Sequence, residues 1–457
     1  MTAAQGIPLG RHYDGAHRDV GGPLDYTGER HVIVFGPNGS GKGTRFLVPT
    51  LLTLKDRSIL VIDPKGELAA ITADYRRSIG EVVILNPFDV LGLGSDGFNP
   101  LALLDPDSPL FYDDAAALGE ALIRVEGKDP HWGESAQGLV VSLLMWEKIR
   151  NREKATLGNV RTLLTEADEF ETKTSGGRKY TEQTKGLRIT AADMIAEGGP
   201  IVASLASRFT EQTNELASIR STADTQTRWM LSPPVAADLT KNGVDFRRLK
   251  DKPMTVYLIL PAQNMRTHSV WLRLVIVSAL RALYRAGGLR TLFLIDEMPA
   301  LGHLGPLEDA FGLVRGYKVQ IAGICQDLTQ LKALYHDRWE SFLANAGAIL
   351  GFTPNDLTTA KWMSERAGVT TLQASSSSQS HAMHGGTANE TASLAPIRRP
   401  VYLPQELMSF EEGSGLLFFA SMGYGARFYA PPYWRVKEFE KRAAKNPYVE
   451  KLQADAE

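Results

Sequence analysis

The chain has 457 residues, with 50 Lys and Arg against 52 Asp and Glu for a formal net charge of -2, and 43% of it is hydrophobic. That length predicts two or three domains, and the near-neutral balance excludes a globally basic nucleic-acid binder, so any basic surface has to be local, such as the lining of a channel. A single cysteine, Cys325, excludes an intrachain disulfide, and with no run of about 18 apolar residues, and no apolar core in Met1 to Arg11, neither a membrane span nor a signal peptide is expected.

In chain order, the first strong feature is the apolar strand Val32-Ile33-Val34-Phe35. It runs into Gly36-Pro37-Asn38-Gly39-Ser40-Gly41-Lys42-Gly43-Thr44, and Phe46, Leu47, Val48, Leu51 and Leu52 then open a helix. Strand, glycine-rich loop and helix form the context of a phosphate-binding loop. Its glycines let successive backbone N–H groups face one concavity, and the helix N-terminus adds partial positive charge. Lys42 would reach the β- and γ-phosphates of a nucleotide as a point charge. A Ser or Thr usually follows this lysine and offers its hydroxyl to Mg2+. Gly43 stands there instead, so either Thr44 takes the role from one residue on or water completes the metal shell. A glycine-rich turn without a ligand is the competing reading.

Ser58 to Asp63 and Val82 to Asn86 are further short buried-strand patterns, as expected of a parallel sheet covered on both faces. From about Asp105 the texture becomes helical, at Asp113 to Val125, Ser135 to Arg152, Asn159 to Leu164 and Lys185 to Leu231, with a break at Gly198-Gly199-Pro200. Thr172 to Gly177 reads as a polar loop inside it. Strands resume at Thr255 to Leu260, Thr291 to Asp296, Val319 to Cys325, Ala348 to Phe352 and Gly415 to Phe419, with a helix at Val270 to Ala286. Residues 1–104 and 233–435 therefore read as one α/β domain with a mostly parallel sheet, split by an all-α insert over 105–232. Gln373 to Thr391 is too polar to pack and is expected to be a flexible loop. Residues 436–457 form a charged tail, expected to be a loose helix.

Leu292 to Ile295 is an apolar strand that ends in two carboxylates, Asp296 and Glu297. Beside a phosphate loop, the first would hold Mg2+ and the second would act as general base on water; alone, the pair would be a solvated acidic turn. Gln326 ends the strand at Val319 to Cys325 and would sense the γ-phosphate or merely cap a turn. Lys65 and Glu67, after the strand ending at Asp63, would face the nucleotide or a subunit boundary, or form a plain turn. An arginine from a neighbouring copy would complete such a site; Arg338 is the first candidate, followed by Arg366, Arg398 and Arg399. The nine histidines give no zinc spacing.

These words together resemble the TraG/TraD-like type IV coupling proteins. The resemblance is carried by Gly36 to Gly43, Asp63-Pro64-Lys65-Gly66-Glu67-Leu68, Asn86-Pro87-Phe88-Asp89, Phe98-Asn99-Pro100-Leu101 and Leu294 to Gly302. Gln326 with Leu328-Thr329-Gln330-Leu331, Phe342 to Gly347 and Arg398-Arg399-Pro400 with Leu403 extend it over most of the chain. The resemblance implies a RecA-like P-loop NTPase that hydrolyses ATP with Mg2+ and an inserted all-α domain that docks substrates. It further implies a homo-hexameric ring around single-stranded DNA. Such a ring would receive relaxase–DNA complexes or protein effectors and pass them to type IV secretion membrane components. Family members usually begin with two transmembrane helices, whereas this phosphate loop starts at Gly36. The expectation is either a trimmed cytosolic portion of such a protein or a naturally membrane-free member, cytoplasmic and docked at the bacterial inner membrane through a partner, with a monomer in isolation as the alternative to the ring. A nucleotide-switched recruitment platform with little hydrolysis, and a DNA pump like FtsK and HerA, are the competing functions.

Overall fold

Continuous β-branched and aliphatic runs bury both faces of a strand, and here they form the centre of two sheet segments. The computed structural model describes residues 5–14, 19–125, 130–176, 178–211, 213–284, 287–303, 305–380 and 389–448. In chain order the strands are β1 (Ile7–Asp14), β2 (Asp19–Tyr26), β3 (His31–Phe35), β4 (Arg57–Ile62), β5 (Glu81–Leu85), β6 (Glu169–Ser175), β7 (Arg178–Lys185), β8 (Met254–Leu258), β9 (Arg290–Ile295), β10 (Val319–Cys325), β11 (Ala346–Phe352), β12 (Val369–Ser380), β13 (Asn389–Pro400), β14 (Ser414–Phe419) and β15 (Ala426–Tyr429). The first ten helices are α1 (Val48–Thr53), α2 (Glu67–Arg77), α3 (Phe111–Leu122), α4 (His131–Asn151), α5 (Leu157–Thr165), α6 (Leu187–Glu197), α7 (Gly199–Ala206), α8 (Asn214–Thr227), α9 (Pro233–Asp238) and α10 (Ala262–Leu283). The chain packs as two units, one of Met1–Leu54, Glu297–Pro299 and Ile321–Lys441, the other of Lys55–Asp296, Ala300–Gln320 and Arg442–Glu457.

In the first unit the strands run in the order β2-β1-β15-β14-β11-β3-β10. β3 lies between two parallel neighbours, β10 and β11, and all five of its residues are buried. The outer strands β14, β15, β1 and β2 pair antiparallel. Sequence periodicity misses β1, β2 and β15. β1 and β2 carry Gly10 and Pro23 and pair with two register shifts, which break the regular alternation of an edge ribbon.

In the second unit β9-β4-β8-β5 is an all-parallel array, and β4 is buried at every residue. The helical segment is built around α4, which packs against α3, α5, α7 and α8. Leu139 to Lys148 is buried without interruption, so the middle of α4 is a central helix without a solvent face, while its ends at His131, Trp132 and Arg150 are exposed. Within it Glu147 is 2% exposed and accepts hydrogen bonds from Asn151, Asn159 and the Thr156 amide, which offsets the cost of burying a carboxylate. Thr156 and Thr213 cap α5 and α8 with their hydroxyls. The break expected at Gly198-Gly199-Pro200 separates α6 from α7.

Three expectations need correction. Of the polar loop expected at Thr172 to Gly177, Thr172 to Ser175 are strand residues of β6 paired antiparallel with β7, while 177 falls outside the described residues; among the described residues the insert is helical except for this one ribbon. Most of the segment from Gln373 to Thr391 is not a loop but lies in the paired ribbon β12–β13, twelve residues on each strand, while 381–388 fall outside the described residues. Over its described part, 436–448, the tail is not a loose helix, and 449–457 fall outside the described residues. It has one short helix at Lys437–Arg442, and beyond it the Ala444 amide donates to the Ile71 carbonyl on α2. Among the described residues no helix is long and apolar enough to cross a membrane.

Candidate active site

The loop between β3 and α1 is shaped by two glycines, Gly39 and Gly41, both at φ +82°, a left-handed conformation that disfavours any side chain. At Gly36 a Cβ would come within 2.5 Å of the Ser40 hydroxyl, so any side chain there would displace the hydroxyl. Gly43 by contrast faces open space, with nothing within 4 Å of its Cβ direction. The first helical turn after Lys42 is π-wound over Gly43–Leu47, and the Val48 amide donates to the Gly43 carbonyl.

Lys42 is 9% exposed, and its ammonium donates to the loop's own carbonyls at Gly36 and, at 3.1 Å, Pro37. The Thr44 hydroxyl donates to the Gly41 carbonyl at 3.2 Å. Ser40 carries a buried hydroxyl with no hydrogen-bond partner. A buried orphan polar atom costs roughly 1–3 kcal/mol, and here it sits inside a glycine-rich concavity. An orphan hydroxyl, two left-handed glycines and an open flank fit a phosphate group. Mg2+ needs only one or two protein oxygens beside phosphates and water, and the described residues contain no cluster of three metal-ligating side chains.

The parallel pairing of β3 with β10 sets Cys325 beside Phe35, and the Gly36 amide donates to the Cys325 carbonyl at 3.2 Å. Gln326 therefore emerges next to the start of the loop. Its side-chain amide donates to Glu297 Oε1 at 3.0 Å, and its backbone amide donates to Gln330 Oε1. Glu297 sits at φ +58°, an uncommon conformation for a non-glycine residue and one that concentrates at functional sites. The buried Cys325 thiol registers the surrounding charges. Burial pushes its pKa up first, Glu297 and Asp327 add to this, and Lys42 opposes it. Lys42, Glu297 and Gln326 thus share one neighbourhood at the ends of β3 and β10.

Asp296 ends the strand pattern of β9 and lies in the electrostatic surroundings of Asp63 at the end of β4. Asp63 is the site residue that strand reading quoted without singling out. It is 1% exposed and accepts from the Ala69 amide at 2.8 Å. Burial pushes its carboxyl up to about 7 against the lowering effect of that amide, and the charges of Asp296 and Glu67 raise it further. A carboxylate at a strand end inside a parallel sheet was the available sign. Lys65 and Glu67 form a turn closed by the tail: Tyr448 donates to the Lys65 carbonyl at 2.7 Å and Asn446 to Glu67 Oε1 at 2.6 Å.

The four candidate arginines lie elsewhere. Arg338 is exposed on the turn His336–Arg338. Arg366 lies over the rings of Trp362 and Phe418 at 5.4 and 5.7 Å, and Arg399 is bound to Glu406. Arg398 is exposed on β13. A residue that acts on a neighbouring copy need not reach its own loop.

With this geometry in hand, known proteins provide a comparison. The model of the family described as type IV secretory system conjugative DNA transfer matches residues 9–451. The conjugal transfer protein TraG of Escherichia coli is 26% identical over 477 residues, covering 94% of this chain and 72% of that protein. The type IV secretion system-coupling protein VirD4 of Bartonella quintana (strain Toulouse) is 25% identical over 442 residues, covering 93% of this chain and 66% of that one. The bacterial conjugative coupling protein TrwB, solved unbound, superposes with a TM-score of 0.64 at 16% identity, covering 93% of this chain and 89% of that chain. The same protein in complex with ADP and Mg2+ gives 0.61 at 15% identity, over 88% and 85%. At these identities the structural likeness establishes the fold, that of a RecA-like P-loop NTPase.

Proposed function

Because the chain belongs to the type IV secretory system conjugative DNA transfer family, we propose that it is an ATP-hydrolysing coupling protein that feeds a conjugation or secretion channel. The carrying observation is the meeting of Lys42, Glu297 and Gln326 beside a loop that holds an orphan hydroxyl. TrwB, whose solved forms include complexes with a non-hydrolysable ATP analogue and with ADP and Mg2+, supports ATP and Mg2+ as the ligands.

In this reading the loop amides from Gly36 to Gly43 and the Ser40 hydroxyl bind the phosphates. Lys42 exchanges the carbonyls of Gly36 and Pro37 for phosphate oxygens. Asp296 and Thr44 would hold Mg2+, which supplies charge neutralisation at the phosphates. Glu297 accepts the proton of the attacking water as general base. Gln326, bound to Glu297, links the state of that carboxylate to the turn after β10. Arg338 from an adjacent copy offsets charge in a homo-hexamer, the arrangement we propose for the working state. The segment 105–232 recruits the cargo, single-stranded DNA with its relaxase or a protein effector. The protein works from the cytoplasmic side, docked at the inner membrane on secretion components.

The hydroxyl of Thr44, engaged with Gly41 next to Gly43, favours a second reading, a recruitment platform that nucleotide only switches. ATPase rate measured across protein concentration, with and without single-stranded DNA, separates the two. Turnover that rises with both supports the motor. Nucleotide binding with no turnover in any condition overturns it and leaves the platform.

A further inference from the structure

The near-neutral chain hides a concentrated basic site. In the second unit a cavity of about 700 Å3 is lined by four arginines, Arg124, Arg228, Arg266 and Arg273, and no carboxylate is among the described residues that line it. They come from three separate places: the end of α3, the turn after α8, and the first three turns of α10. Three of the four are held by direct contacts. The Gln226 side chain clamps the Arg124 backbone from both sides, accepting from its amide at 2.6 Å and donating to its carbonyl at 2.9 Å. Arg273 lines the cavity, is 6% exposed and donates through Nε to the Ala121 carbonyl. Arg228 is steered by Asp224 at 2.8 Å. Arg266 is exposed.

A second observation marks the same place. Trp229 lines the cavity, is 8% exposed, and its indole N–H has no hydrogen-bond partner. Beside it α10 breaks its winding at His268 (φ -119°, ψ 15°), whose ring packs against Phe88 at 5.1 Å. Burial lowers the pKa of His268, so the imidazole is neutral there at pH 7 and the positive charge belongs to the arginines.

We propose that this cavity binds the phosphodiester backbone of single-stranded nucleic acid. Guanidinium groups backed by hydroxyl side chains, here Thr225 and Thr267, are the groups that hold phosphate and sugar without reading bases. No glycine-rich run of backbone amides lines the cavity, so it lacks the cradle of a second nucleotide site. Trp229 is too buried to offer a stacking face, and contacts to phosphate and sugar alone make binding sequence-independent and salt-sensitive. The inference rests on the reading of the chain as a DNA-handling coupling protein, and it names where the strand is gripped.

Fluorescence anisotropy of the full chain with labelled oligo(dT), roughly 30 nucleotides long, tests it against Arg266→Glu, Arg266→Ala and the charge-matched control Lys179→Glu on β7. Arg266→Glu is expected to weaken binding about tenfold, and Arg266→Ala to reduce the salt slope by about one. Lys179→Glu, the melting temperature and binding of a fluorescent ATP analogue are expected to stay unchanged. Equal weakening by Lys179→Glu, or no change in either Arg266 variant, overturns the proposal while leaving the ATPase reading intact. Wild-type protein that binds no oligonucleotide overturns both the proposal and the DNA-handling reading. Displacement of oligo(dT) by tripolyphosphate at equal phosphate concentration would make the ligand a free polyphosphate and overturn the assignment to a strand.

Discussion

Two strand-to-helix turns in this chain have the same topology and opposite polar accounting. The turn after β3 holds Ser40 without a partner, Gly43 against open space, and a lysine that satisfies itself on its own loop. The turn after β4 is saturated. Asp63 accepts from the Ala69 amide, its carbonyl accepts from Gly66, and Tyr448 and Asn446 close over Lys65 and Glu67. An open, under-satisfied turn is built to receive a ligand, whereas a saturated one is built to hold shape. Motif words alone do not separate these cases; the destination of each polar group does.

The comparison breaks first at Lys42. Lys42→Ala is expected to lower kcat/KM for ATP by about 10³-fold, since the cation is lost in both the bound and the reacting complex. Steady-state hydrolysis and ATP-analogue titration check this, and retained affinity would show that the first turn does not need its cation. Glu297→Gln is expected to slow hydrolysis about 10²–10³-fold with nucleotide affinity kept, read in single-turnover assays.

The saturated turn predicts a pH effect. Folded Asp63 titrates at about 7 against 3.8 for the free side chain, so between those values the folded state keeps a proton that the unfolded chain has lost. Stability therefore falls as pH rises from about 4 to 7 and is flat above, by on the order of a few kcal/mol in total. Asp63→Asn keeps an acceptor for Ala69 and is expected to flatten that slope, as urea unfolding at a series of pH values would reveal. The smallest effect belongs to Tyr448→Phe, which removes one hydrogen bond to the Lys65 carbonyl. It is expected to cost about 0.5–1 kcal/mol and to speed proteolysis of the tail.

Much of this was legible from residues. β3, β4, β5, β8, β9, β10, β11 and β14 were all marked by apolar runs, because burial on both faces demands them. The ribbon β6–β7 was invisible for the complementary reason, and the polar composition of Gln373 to Thr391 hid β12–β13. Every residue of β6 is exposed, so no burial pattern exists to read. In the site, Lys42 and Glu297 were marked by motif and strand end, and the pairing of β3 with β10 brings Gln326 to them. The role of Asp63 was hidden because its perturbation comes from neighbours brought in by the fold. The tail was hidden because Asn446 and Tyr448 act through single hydrogen bonds, which leave no periodicity.

The widened turn at Gly43–Leu47 separates chemistry from packing. A π-wound turn takes up one residue more than an α-turn, so a residue added straight after the lysine is absorbed on the spot. Phe46, Leu47 and Val48 stay in the core at 1%, 0% and 1% exposure. Without that local slack, every downstream side chain of the helix would rotate by about 100° and the hydrophobic face would be lost. The residue beside the lysine can therefore be chosen for the ligand while the scaffold beneath it keeps its register.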